Sequence, residues 1–73
     1  MAIVASTHSV GHAQQDGRRN VTEDHTDGVG EVHRAEYLAA VGTDYAAVRN
    51  ARALVIAEQL AEAEAKALAN DAT

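Results

Sequence analysis

His8 and His12 stand four residues apart, the spacing that would align two imidazoles on one face of a helix for a metal ion. Gly11 and the Ser, Thr and Val residues around them oppose helix formation, so this pair reads as surface imidazoles on extended chain. His25 and His33 flank the Asp27-Gly28-Val29-Gly30 stretch and face each other if three residues join two strands there, giving a second histidine pair. A closed metal site needs four ligands, and no further ligand stands in a recognisable pattern, so no metal or cofactor is expected. Ser6, Thr7 and Ser9 lie next to His8, but adjacency in sequence is not triad geometry, and no nucleophile-elbow pattern accompanies them. Gly28 and Gly30 lack both the third glycine and the Lys-Ser/Thr pair of a phosphate loop. With no cysteine, thiolate chemistry and disulfides are closed. The carboxylates are plentiful, but a catalytic pair needs one of its members in an apolar pocket. A chain of 73 residues does not readily enclose one, so no catalytic residues are assigned and the chain is read as a non-enzyme.

The elements that would have to position any such residues are themselves thin in apolar material. At this size folding removes only about 60% of the surface of the unfolded chain. Leu, Ile, Val and Phe together make up 14 of 73 residues, and seventeen alanines supply much of the remaining hydrophobic count. Alanine favours helix formation far more than it favours a globule. Small scaffolds compensate with disulfides, metals or association, and association is the route left open. Six basic residues against eleven acidic give a net charge of −5, and the longest basic run is Arg18-Arg19, so no direct contact with nucleic acid is expected. No stretch approaches the roughly 18 apolar residues needed to span a bilayer, and no signal-peptide pattern opens the chain. No membrane contact and no small-molecule substrate are expected.

Three zones follow. Residues 1–17 read as an extended N-terminal arm with a polar, glycine-punctuated continuation, mobile when taken alone. Residues 18–42 read as a β-hairpin and connector, with glycine providing the positive φ of the turn. Two registers compete. A two-residue loop places Glu23 opposite Arg34, whereas a three-residue loop places Asp24 opposite Arg34 and Val21 opposite Tyr37. Neither gives a clean apolar face, and the ribbon edges are open to strand addition by another chain.

Residues 43–73 read as one long helix with a short tail, capped at Thr43 or Asp44 and stopping near Asn70. The helix carries two stripes. One holds Tyr45, Ile56, Leu60, Ala63 and Ala67, with Val48 and Val55 at its margin; the other holds Ala47, Leu54, Ala57, Ala61, Ala65 and Leu68. Two stripes imply neighbours on two sides, the alternative being an alanine-rich solvated surface. Arg49 and Arg52 fit either an interface ion pair or a solvated face. The fold class is therefore α+β: arm, hairpin and one long C-terminal helix, completed by packing on partner chains. Tyr37, Tyr45, Leu54, Ile56, Leu60 and Leu68 are the expected interface residues.

The segment from Arg18 to Leu68 carries His25-Thr26-Asp27, Glu36-Tyr37-Leu38, Gly42-Thr43-Asp44 and Gln59-Leu60-Ala61-Glu62-Ala63-Glu64. It resembles a type of small virion-associated structural protein of tailed bacteriophages; the first 17 residues lie outside the resemblance. The resemblance implies a minor virion component of the tail, baseplate or head-to-tail region, made in the host cytoplasm. Its partners would be other virion proteins and copies of itself, and it brings no assigned site. A small acidic phage-encoded inhibitor or regulator of a host protein is the alternative.

Overall fold

The computed structural model describes residues 1–71, and the last two positions of the helix-and-tail segment lie outside the described residues. The chain runs β1 (Ile3–Ala13), β2 (Arg19–Asp27), β3 (Val32–Ala39) and α1 (Tyr45–Asp71). The strands form an antiparallel meander in the order β1-β2-β3, and the helix lies across one face. The α+β class, the hairpin and the single long helix are as the sequence implies.

The first zone is extended, as expected, but it is a third strand of the sheet rather than a free arm. Ile3–Ala13 pairs along its length with β2, with irregularities between Ile3 and Ala5 and between Val10 and Ala13. The missed signal was Asp16-Gly17. Gln14 N donates to Arg18 O at 2.7 Å, Gly17 N donates to Gln14 O at 2.9 Å, and Gly17 has φ +86°. The second turn repeats this plan: Asp27 N donates to Glu31 O at 2.9 Å, Gly30 N donates to Asp27 O at 3.1 Å, and Gly30 has φ +89°. Each is a three-residue hairpin loop closed by a left-handed glycine. The second loop selects the register that sets Asp24 against Arg34, Val21 against Tyr37 and His25 against His33. With both outer strands paired to it, β2 becomes the central strand.

Alternation along β2 sends Val21, Glu23, His25 and Asp27 beneath the helix. Among the described residues the buried apolar side chains are Val21 and Ala39, beside the buried Glu23, His25 and Asp27. The core is thus mostly polar. Asp44 caps α1 by accepting from Ala47 N at 3.1 Å, replacing a bond that the first helical turn cannot make internally. The helix runs through Asp71, past the expected stop at Asn70. Its backbone approaches β1 and β2 but not β3, and residues 61–70 are exposed on every side. The radius of gyration is 15.3 Å, against about 11 Å for a compact chain of this length.

Candidate functional site

The polar line of β2 is held by partners from every element around it. Glu23 Oε1 accepts from Arg52 Nε of α1 at 2.7 Å and lies 2.9 Å from His25 Nε2. His25 Nδ1 lies 2.8 Å from Ser6 Oγ of β1. One tautomer satisfies both contacts, with Nε2–H donating to the carboxylate and Nδ1 accepting the serine hydroxyl proton. The Arg52 guanidinium also stands over the Tyr37 ring at 5.2 Å from its centre, a cation–π contact that links α1 to β3. Arg49 Nη1 donates to His8 Nδ1 at 3.1 Å, and the His8 and Tyr45 rings lie 6.3 Å apart. Arg52 thus forms an ion pair within its own chain, with Glu23, rather than the expected interface pair or solvated face.

Ser6, His25 and Glu23 have the connectivity of a nucleophile, base and orienting acid, and sequence reading linked Ser6 only with its neighbour His8. The environment suits a structural bridge better. His25 and Glu23 are both 0% exposed, the histidine presents Nδ1 rather than Nε2 to the hydroxyl, and the carboxylate is shared with Arg52. Two hollows, of about 330 and 320 Å³, are lined by residues other than these three. What the network does chemically is hold a charged strand under a helix. Among the described residues, Glu23 Oε2 and the Tyr37 hydroxyl are buried without a hydrogen-bond partner, and burial, followed by the charge of Glu23, pushes the Tyr37 phenol above its ordinary pKa.

At the hairpin end, Asp27, Glu31 and His33 place donor atoms within 4.8 Å of one another. One imidazole and two carboxylates are ligands that a divalent cation accepts. The geometry is also complete as a turn. Asp27 Oδ1 accepts from Val29 N and Glu31 N, each at 3.0 Å, and Oδ2 lies 2.9 Å from His33 Nε2. The His33 contact and then the two amides hold the Asp27 carboxyl below the usual carboxylate range, against the opposing effect of burial. Sequence reading paired His33 with His25, which does stand across from it in β3, but missed Asp27 and Glu31; the signal was their position on either side of a three-residue loop.

Because α1 sits over β1 and β2, the inner face of β3 is left open. A groove of about 330 Å³ runs between them, with His33 and Ala35 on the strand side and Arg52, Ile56, Gln59 and Leu60 on the helix side. The expected interface residues divide accordingly. Tyr37, Tyr45, Ile56 and Leu60 are half-buried against the chain's own sheet, and Ile56 and Leu60 also line the groove. Leu54 and Leu68 are 69% and 70% exposed, on the side of the helix facing away from the sheet. No helix among the described residues is long and apolar enough to cross a membrane. Compared with family models, curated proteins and solved structures, the chain finds no match.

Proposed function

We propose that this chain is a non-enzymatic assembly subunit, a minor structural component of a tailed-phage virion that joins or stabilises larger virion proteins. The observation that carries the reading is an inversion of the usual distribution of polarity. Glu23, His25 and Asp27 are buried while Leu54, Val55 and Leu68 stand exposed along α1, so the chain keeps much of its apolar surface for other chains. The likeness of residues 18–68 to small virion proteins supplies the setting. Non-catalytic character is supported by the full burial of His25 and Glu23 and by the sharing of the Glu23 carboxylate with Arg52.

The test is mass spectrometry of purified particles. A virion subunit appears there in a fixed copy number related to the particle's symmetry. Absence from mature particles, together with one-to-one binding to a soluble host protein, would replace this reading with that of an acidic inhibitor or regulator.

A further inference from the structure

We infer that the open face of this chain is closed by a second copy of itself, the two helices lying side by side and antiparallel in one layer between two sheets. The inference rests on the reading that the chain completes its core by association and is independent of the virion setting. Particle mass spectrometry and the measurements below can therefore fail separately.

The surface area sets the scale. The chain exposes 5056 Å², against about 4,300 Å² for a compact monomer of 7.7 kDa. The excess of about 750 Å² is close to the roughly 800 Å² that each partner contributes to a standard interface.

The shape of the open surface then points to a helix. Val48, Ala51, Arg52 and Val55 surround a hollow of about 320 Å³ on the flank of α1. Their spacing is i, i+3, i+4, i+7, the four-residue hole that receives a side chain from a neighbouring helix. This hollow shares Arg52 and Val55 with the groove above β3, so a helix seated in the one covers the other. β1 and β3 stand about 10 Å apart across the sheet, which is also the spacing of two packed helices, and α1 occupies only the β1–β2 side.

Charge selects the occupant and its direction. Residues 45–57 of α1 carry Arg49 and Arg52 with no acid, and in residues 58–71 the acids Glu58, Glu62, Glu64 and Asp71 stand against the one cation Lys66. An antiparallel pairing centred near Val55 sets the basic half of each helix against the acidic half of the other, and opposes the helix dipoles favourably. A parallel pairing superimposes like charges. Each helix then has its own sheet on one side and turns Ala47, Ala51, Leu54, Glu58 and Ala61 toward the partner's β3. The small alanines allow that close approach, and both stripes of the helix acquire a neighbour.

The purified full chain, studied by sedimentation across a wide concentration range, should show a reversible dimer. The chain has no cysteine, so single-cysteine variants report the geometry under mild oxidation. Val55→Cys should form a disulfide with its own copy, while Ala46→Cys, on the opposite flank, and Leu68→Cys, far from the symmetry axis, should not. Val55→Asp, at a position exposed in the single chain, should weaken dimerisation at least 100-fold while helical circular dichroism at high concentration is retained. A monomer at every concentration, a closed assembly of three or more copies, or efficient self-crosslinking of Leu68→Cys, which signals parallel helices, would each overturn the proposal.

Discussion

Arg52 of α1 places Nε 2.7 Å from Oε1 of Glu23, a carboxylate fully buried on the central strand. The helix is thus fastened to its sheet by a charge pair where most small α+β folds use aliphatic contacts. Arg52 itself is 35% exposed on its side chain, so of the two charges only the acid is wholly removed from solvent. Removing the cation leaves an uncompensated buried charge, whereas removing both leaves two neutral groups.

Arg52→Met should accordingly lower stability by about 3 kcal/mol. Adding Glu23→Gln should restore most of the loss, since Gln still offers an oxygen to His25 and no longer needs a cation. Urea denaturation of the two single variants and the double variant measures the coupling. Additive losses would show that the pair does not act as a unit.

Acid sensitivity should centre on Asp27. Its folded pKa lies below the ordinary value near 3.9, so between the two values the unfolded chain binds the proton and the folded chain does not. Stability from this group is therefore fully present above about pH 5 and is lost as pH falls through the folded pKa. Asp27→Asn keeps an oxygen for the turn amides but removes the titration. Melts repeated from about pH 6 to pH 2.5 should show a shallower decline for the variant. Asp16 and Asp24 are also lowered, by Arg18 and Arg34, but those ion pairs are largely exposed and contribute little.

Tyr37→Phe should leave stability unchanged or raise it by up to about 1 kcal/mol, because it removes a buried hydroxyl that has no partner among the described residues. With the phenol's folded pKa raised, the wild-type contribution is complete below about pH 10 and is lost as pH rises through the folded value. The Phe variant should escape that alkaline loss. Thermal melts at neutral and alkaline pH measure both effects, and a strong destabilisation at neutral pH would show that the hydroxyl has a partner in solution.

Two apolar residues on one helix should behave differently. Ile56→Asp places a carboxylate against the sheet and should unfold the chain at any concentration, at a cost of several kcal/mol. Leu54→Asp, where the side chain faces away from the sheet, should preserve the fold while abolishing association and incorporation into an assembly. Circular dichroism and sedimentation on both variants separate the two roles.

Gly17 and Gly30 both have positive φ, but a Cβ on Gly17 would also come within 2.7 Å of Val41 Cγ2, whereas one on Gly30 meets nothing within 4 Å. Gly30→Ala should cost about 1 kcal/mol of backbone strain, and Gly17→Ala more. Equal costs in urea titrations would mean that Val41 moves aside freely.

The local elements are written in the sequence. The uninterrupted run from Tyr45 onward and the Asp44 cap specify the helix, and Gly30 specifies one turn, because helix propensity, capping and left-handed glycine geometry act over a few residues. The two-striped character of α1 is legible for the same reason, since a period of 3.6 distributes side chains without reference to the rest of the chain. The placement of charge was decided by tertiary structure. Glu23, His25 and Asp27 look like the solvated side of a ribbon until Ile3–Ala13 pairs with β2 and makes it central; then the same alternation puts them beneath a helix. Their burial is tolerated only because Ser6, His33 and Arg52, separated from them in the chain by 19, 6 and 29 residues, arrive within hydrogen-bond distance. No local rule encodes those meetings, because the energy of a buried charge depends on which partners the fold brings to it.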